Sequence, residues 1–343
     1  MQLDKLSATS GKTYEACPSR WEATYLGPRP PEQAGPPAMK GTVCHYALEM
    51  LVSSKTHTKS YFDQLQYLLN QAEAEYTRLF KQDRSHWDDC VEMLTNWANN
   101  TGDDYWLGRE ILSTELRKTF DVKTTTGVKP FTYICDRVDI LRDFAGTPTI
   151  EVIDYKTYRS PTKTEGMRDD LQVRAYAVAM FMQYSKEYPD LAGVKVTLDL
   201  LRYSRVSVIF TREECLASWR YIRELSERII ADVKPKETIN EDCMYCVKRM
   251  SCKAILAHAS VGGALAITDV DEAADAYFYV SNILKTLKAN QDDLKGVILK
   301  YCEVEDLPGF STDTTSVTLT SRKVQGKFQT PFITAKQKKG KTK

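Results

Sequence analysis

Three strand-like runs follow one another between residues 110 and 157, with helical patterns on both sides. EILSTELRKTFDV (110–122), FTYICDRVDILR (131–142) and TIEVIDYKT (149–157) are rich in β-branched and aromatic residues, and KTTTGVKP supplies the turn between the first two. Before them, helix signals run over 41–52, 61–81 and 87–99. A short helix around Tyr14 to Tyr25 and the loop GPRPPEQAGPP come earlier still. After them, few breakers and many Ala and Met predict a helix over 168–187. KVTLDLLRYSRVSVIF (195–210) reads as a hairpin and 212–232 as another helix. Helices, three strands, a helix, a strand pair and a helix make an α/β chain with a mixed sheet.

The C-terminal part follows a different pattern. From Tyr277 a heptad repeat places Tyr277, Leu284, Gln291 and Ile298 at one core position and Val280, Leu287, Leu294 and Tyr301 at the other. About four heptads suit either a helix packed on its own chain or an oligomer contact. TTSVTLTSR then alternates like a strand. From Arg322 to Lys343 every charged residue is basic, ending in Lys336, Lys338, Lys339, Lys341 and Lys343. The net charge of the 343-residue chain is +1, which neither demands nor excludes a nucleic-acid partner. No run of about 18 apolar residues marks a membrane span, and the N-terminus has no apolar signal-peptide core, so the chain reads as cytoplasmic.

The chemistry concentrates on two strands. IEVIDYKT sets Asp154 and Lys156 two apart, hence on one face of a strand. YICDRVDIL carries Asp136 and Asp139, whose spacing of three puts them on opposite faces. Asp136 is in phase with Ile134 and Val138, on the more apolar face, where a carboxylate needs a partner. A divalent cation held by Asp136 and Asp154 would supply one. Mg²⁺ or Mn²⁺ on hard carboxylates activates water and stabilises a developing phosphate charge, and a neighbouring lysine adds to that. A plain Asp154–Lys156 ion pair is the bland alternative. His45 and Glu49 share a helix face, as do Gln172 and Tyr176.

Taken in order, GTVCHYALE, YICDRVD, VIDYKT and LQVRAY resemble the motif series of the PD-(D/E)XK nuclease superfamily, in its RecB-type branch. The resemblance implies a restriction-endonuclease-like core, a central mixed sheet flanked by helices, with a C-terminal helix and short β segment added. It implies that His45, Asp136 and Asp154 bind the metal with help from the Tyr155 carbonyl, that Lys156 is catalytic, and that Gln172 and Tyr176 shape the site or touch DNA. Glu115 in STELRKTF resembles an acidic position on the family's first core strand. Tyr133 stands where the family usually has Gly.

Cys243, Cys246 and Cys252 form C-x2-C-x5-C, a metal-site spacing that lacks one ligand. Cys17, in a Cys-Pro context, resembles the N-terminal cysteine of iron–sulfur RecB-type enzymes, which implies a [4Fe–4S] cluster on these four; Zn²⁺ on the same ligands is the alternative. The pattern is similar to AddB-type nuclease domains, CRISPR-associated adaptation exonucleases and phage-encoded relatives. The domain expectation is a nuclease with its iron–sulfur site over 1–258, an accessory helix and β segment over 259–330, and a basic tail without order over 331–343. The functional expectation is a DNA exonuclease on single strands or duplex ends, in recombination, repair or phage DNA processing, within host cytoplasm if phage-encoded. No G-x-x-x-x-G-K-[ST] motif occurs, so a helicase or recombination partner would supply any motor. A homo-oligomer stays open. The rivals are a catalytically silent DNA-binding accessory protein and a protein-interaction module built on the heptad helix.

Overall fold

The computed structural model describes residues 5–27, 35–54, 60–101, 103–160, 164–255, 270–312, 315–320, 323–324, 327–328 and 332–337. Most of the Pro/Gly loop, residues 28–34, and the last lysines, 338–343, lie outside them. The chain divides into two units, Met1–Pro235 and Lys236–Lys343.

The first unit begins with β1 (Leu6–Ser7), α1 (Ala8–Ala16) and α2 (Pro18–Tyr25). The single helix expected around Tyr14 to Tyr25 is thus two. Cys17 is extended, at φ −162°, and its sulfur accepts the Arg20 N–H as the cap of α2, while Pro18, which has no N–H to give, takes the first helical position. Next come α3 (Pro36–Ser53), α4 (Tyr61–Phe80) and α5 (Trp87–Asn99). The long strands β2 (Arg109–Thr124) and β3 (Gly127–Arg142) form a hairpin closed by Thr125 and Thr126. Gly127 opens β3 at φ 123°, a conformation that side-chain-bearing residues rarely adopt. β4 (Pro148–Lys156), α6 (Leu171–Tyr184), β5 (Gly193–Leu200), β6 (Arg205–Phe210) and α7 (Arg212–Ala231) complete the unit. The helix expected from 168 starts at Leu171 because the Asp170 carboxylate accepts the Gln172 and Val173 N–H groups as its cap.

One six-stranded sheet results. β3 pairs with β2 along one edge, and along the other with β1, parallel, and then β4, antiparallel. β4 and β5 are parallel, joined through α6, and β6 closes the sheet antiparallel to β5. The sheet is therefore mixed, as the element order implies. One apolar core joins Val138, Ile140, Val152 and Val196 to Val173, Ala177 and Met180 of α6 and Ile222 and Leu225 of α7. The other joins Ile153 and Tyr155 to Val43, Leu48, Leu68, Met93 and Trp97 of α3, α4 and α5. Helices on both faces bury the strands almost completely, so the runs in β4 and β5 are nearly continuous in apolar character.

Beside the second core lies a buried ionic layer. Arg137 donates to Asp139 at 2.8 and 2.5 Å, and Arg109 to Asp139 at 3.0 Å and also to Glu151. Thr197 and Lys195 reach Glu151, while Arg205 and Trp97 reach Asp199 at 2.8 and 3.0 Å. Every buried carboxylate here has a charged partner.

The second unit holds a 3-10 turn (Glu241–Tyr245), α8 (Val270–Val304), a sheet of β7 (Gly309–Ser311), β8 (Thr315–Thr320) and β11 (Phe332–Gln337), and a β9–β10 pair (Lys323–Val324, Lys327–Phe328). Part of the tail expected to lack order, Phe332–Gln337, is a strand paired along its length with β8. On α8 the heptad positions Tyr277, Val280, Leu284, Leu294 and Tyr301 are exposed, and Asn282, Ile283, Thr286 and Cys302 are buried instead. Ile283 packs with Ile239, Cys243 and Ile255.

Candidate active site

The last cross-strand pair of β3 and β4 is Arg137 with Ile153. Beyond it the two strands part. The Tyr155 N–H, which has no ladder partner on β3, donates to Asp136 Oδ2 at 2.7 Å and draws that carboxylate into the gap. Strict alternation along β3 is a poor guide at this point, since Ile134 is 36% exposed while Val138 is fully buried. Asp136 reaches the site because the ladder opens there. Asp139 lies on the opposite face, as its spacing implies, and is absorbed in the ionic layer.

Two further groups meet Asp136. His45, on the face of α3 that looks at the gap, has Nδ1 3.4 Å from Asp136 Oδ2, and its ring packs edge-on against Tyr155. Glu115 comes from β2, between Thr114 and Leu116, which pair with Arg137 and Cys135 of β3. Its φ is 47°, in the left-handed region, a strain of roughly 1–3 kcal/mol for a residue with a side chain. The ligand atoms of His45, Glu115 and Asp136 all lie within 4.8 Å of one another, the one such group of three or more among the described residues. Glu115 is the member that residue spacing alone does not single out. Its signal is the strained backbone conformation, which no local pattern encodes.

The electrostatics of the three suit a cation. Burial raises the Glu115 pKa, and the charges of Asp136 and Glu49 raise it further. Burial pulls the His45 pKa down, but the hydrogen bond to Asp136 and the charges of Asp136, Asp154 and Glu115 win and raise it. In each case carboxylates crowd one small space.

Next to them, four side chains close a ring. Lys156 Nζ stands 2.5 Å from Asp154 Oδ2 and donates to Gln172 Oε1 at 3.4 Å. Gln172 Nε2 donates to the Tyr176 hydroxyl at 2.7 Å, and that hydroxyl donates to Asp154 Oδ1 at 3.0 Å. Two residues from the end of β4 and two from the first turns of α6 thereby hold one another. Burial raises the Asp154 pKa against the pull of Lys156, with Asp136 adding to the rise. For Lys156 the attraction of Asp154 outweighs burial, so the ammonium form is favoured.

A groove of about 480 Å³ runs along α3 at His45 and Glu115, lined also by Thr42, Tyr46, Glu49 and Glu75. His45 and Glu49, four apart in the sequence, both line it.

Of the expected site residues, His45 and Asp136 come together with Glu115, and Asp154, Lys156, Gln172 and Tyr176 form the ring. Tyr155 is buried between them. Cys17 belongs to the first unit and Cys243, Cys246 and Cys252 to the second. The latter three are not among the described groups of close metal-ligating atoms. Cys17 Sγ accepts the Arg20 N–H at 3.4 Å and Cys243 Sγ the Asn240 N–H at 3.3 Å. Among the described residues no helix is long and apolar enough to cross a membrane.

The model of the PD-(D/E)XK nuclease superfamily matches residues 5–253. No curated protein matches the chain. Among solved structures, the crystal structure of SSO0001 is similar at 13% identity, over 71% of this chain and 94% of that one, with a TM-score of 0.29. The "Putative exonuclease" from Eubacterium rectale is similar at 10% identity, over 78% of this chain and 91% of that one, with a TM-score of 0.41.

Proposed function

The chain belongs to the PD-(D/E)XK nuclease superfamily, and from that premise we propose that it is a metal-dependent DNA exonuclease of the RecB-type branch. The observation that carries the proposal is the pair of adjoining clusters: His45, Glu115 and Asp136 within 4.8 Å, and the Asp154–Lys156–Gln172–Tyr176 ring beside them. The first cluster fits a hard divalent cation, Mg²⁺ or Mn²⁺, through two carboxylates and an imidazole. Asp154 and the Tyr155 carbonyl are the further ligands that the motif series implies. When bound, the metal supplies Lewis-acid activation of water and phosphate. Asp154 Oδ2 is buried with Lys156 Nζ 2.5 Å away as its counter-ion.

The chain's own groups do the rest. Gln172 and Tyr176 take up the free valences of Lys156 and Asp154 and fix where the ammonium points. Lys156, kept charged by Asp154, faces the position of the scissile phosphate and stabilises the charge that develops on it. The Tyr155 N–H holds Asp136 in the gap. A catalytically silent scaffold is the lesser reading, because a silent protein has no use for a strained Glu115 or a closed Lys156 ring. The substrate would be single-stranded DNA or duplex ends, in recombination, repair or phage DNA processing. The test is incubation with end-labelled linear and with circular DNA in Mg²⁺, in Mn²⁺ and in chelator. Metal-dependent loss of linear DNA alone supports the reading; no cleavage in any condition contradicts it.

We propose also a [4Fe–4S] cluster on Cys17, Cys243, Cys246 and Cys252. Its support is the spacing of the three C-terminal cysteines and the Cys-Pro context of Cys17. Protein purified without oxygen should carry about four irons per chain with broad visible absorbance. A colourless protein with one zinc would reject the cluster in favour of Zn²⁺.

A further inference from the structure

Immediately after Lys156 the chain forms a short loop, Thr157 to Ser160, whose backbone is held from several sides. The Thr157 carbonyl accepts Arg202 Nε at 3.3 Å, the Arg159 carbonyl accepts the Tyr203 hydroxyl, and the Lys156 carbonyl accepts the Leu201 N–H at 2.9 Å. The anchor is itself anchored: the Arg202 guanidinium is clamped by both oxygens of Asp89, which also takes Lys40. On the remaining side α3 comes close, since a Cβ on Gly41 would stand 3.6 Å from Thr157 Oγ1.

Two large side chains project from this fixed backbone into solvent. Tyr158 is 52% exposed, with its ring centroid 5.7 Å from Lys156 Nζ. The Arg159 side chain is 79% exposed, and its nearest carboxylate, 3.7 Å away, is the Asp89 already shared by Lys40 and Arg202. Asp89 thus faces three cations, Lys40, Arg202 and Arg159. A loop serving only as a connection has no need of a pinned backbone under an exposed ring and an exposed guanidinium. An aromatic face and a cation on a rigid support, beside the ammonium that meets the scissile phosphate, are what a nucleic-acid strand is gripped by.

We propose that Tyr158 stacks on the base of a nucleotide flanking the scissile phosphate, and that Arg159 engages the next backbone phosphate. The proposal rests on the nuclease reading. It makes the two side chains substrate-positioning groups rather than parts of the chemistry, and the Asp89–Arg202 clamp their support. Stacking is indifferent to base identity, so the grip confers hold on a single strand without sequence preference.

The experiment uses the full chain with short single-stranded oligonucleotides. Affinity is measured by anisotropy in Ca²⁺ and single-turnover cleavage in Mn²⁺, for the wild type, Tyr158→Ala, Tyr158→Phe and Arg159→Ala. A second set of oligonucleotides carries abasic residues on both sides of the cleaved bond, mapped on the wild type or, absent cleavage, at successive positions. Tyr158→Ala should weaken affinity for normal DNA about tenfold or more. Tyr158→Phe should restore it. On abasic DNA, Tyr158→Ala and the wild type should bind alike. Arg159→Ala should reduce the slope of log affinity against log salt by about one. Equal losses for Tyr158→Ala on normal and abasic DNA, or no loss on either, overturn the grip while leaving nuclease activity intact. A wild type that neither binds nor cleaves DNA overturns the nuclease reading and the grip together.

Discussion

Replacing Asp139 with alanine tests how the sheet sorts its charges. Asp139 is wholly buried and accepts three hydrogen bonds, two from Arg137 and one from Arg109. After the change Arg109 keeps Glu151, but Arg137 loses its only described ion-pair partner. The Arg137 side chain is itself buried, and its Nη1 already has no hydrogen-bond partner. The rings of Trp106 and Tyr105, 4.6 and 5.5 Å from the guanidinium carbon, offset only part of the loss. Removing one partner from a buried ion pair costs about 3–5 kcal/mol, and for a unit of this size that lowers Tm by about 6–20 °C. Asp139→Asn keeps an acceptor and should cost less. Denaturant and thermal unfolding give the stability, and single-turnover cleavage well below Tm gives the activity, which should stay within about threefold of wild type because Asp139 faces away from Asp136 and Asp154. A stability loss under about 1 kcal/mol would refute the buried-charge argument. A cleavage defect as deep as that of Asp136→Ala would refute the assignment of faces.

Tyr176→Phe removes the hydroxyl that joins Gln172 to Asp154 and leaves the ring of contacts open, so cleavage should slow by about tenfold with little change in DNA affinity; an unchanged rate would make the ring ornamental. His45 sets a pH dependence: its carboxylate neighbours raise its pKa above the ordinary value near 6.5, and the protonated ring cannot ligate. In metal-free protein that raised value stabilises the fold below pH 6.5 and the contribution fades as pH rises through the folded pKa. Metal affinity runs the other way, tightening as pH climbs through the same range; calorimetric Mn²⁺ titrations across pH should show this, and His45→Gln should flatten the slope, whereas a pH-independent affinity in the wild type would contradict it.

Much of the architecture is legible in the amino-acid order. The three strands from 110 to 157 and the helix beyond them follow from composition and breakers, and the mixed sheet follows from their succession. Helix starts are less legible, because a cap decides them: Cys17 splits one expected helix into two, and Asp170 delays another. The site divides similarly. Asp154 and Lys156 share a strand face by simple alternation, and Gln172 and Tyr176 share a helix face by their spacing of four. That these two pairs close a ring depends on where α6 lies against the end of β4, which no local pattern states. Asp136 enters the site because a ladder opens, and Glu115 through a left-handed backbone conformation that no residue pattern announces. The heptad of α8 shows the converse, a strong local period whose apolar positions are exposed while Ile283 and Thr286 are buried.

The proposed catalysis divides labour between Asp136 and Lys156. Mn²⁺ titration by calorimetry, paired with single-turnover cleavage of labelled DNA, separates the two roles in one set of proteins. Asp136→Ala should lose metal binding and cleavage together. Lys156→Ala should bind Mn²⁺ and DNA nearly as the wild type does, yet cleave about 10²-fold more slowly, since one preorganised charge is gone from the transition state. Full activity in Lys156→Ala, or undiminished metal binding in Asp136→Ala, would contradict the assignment.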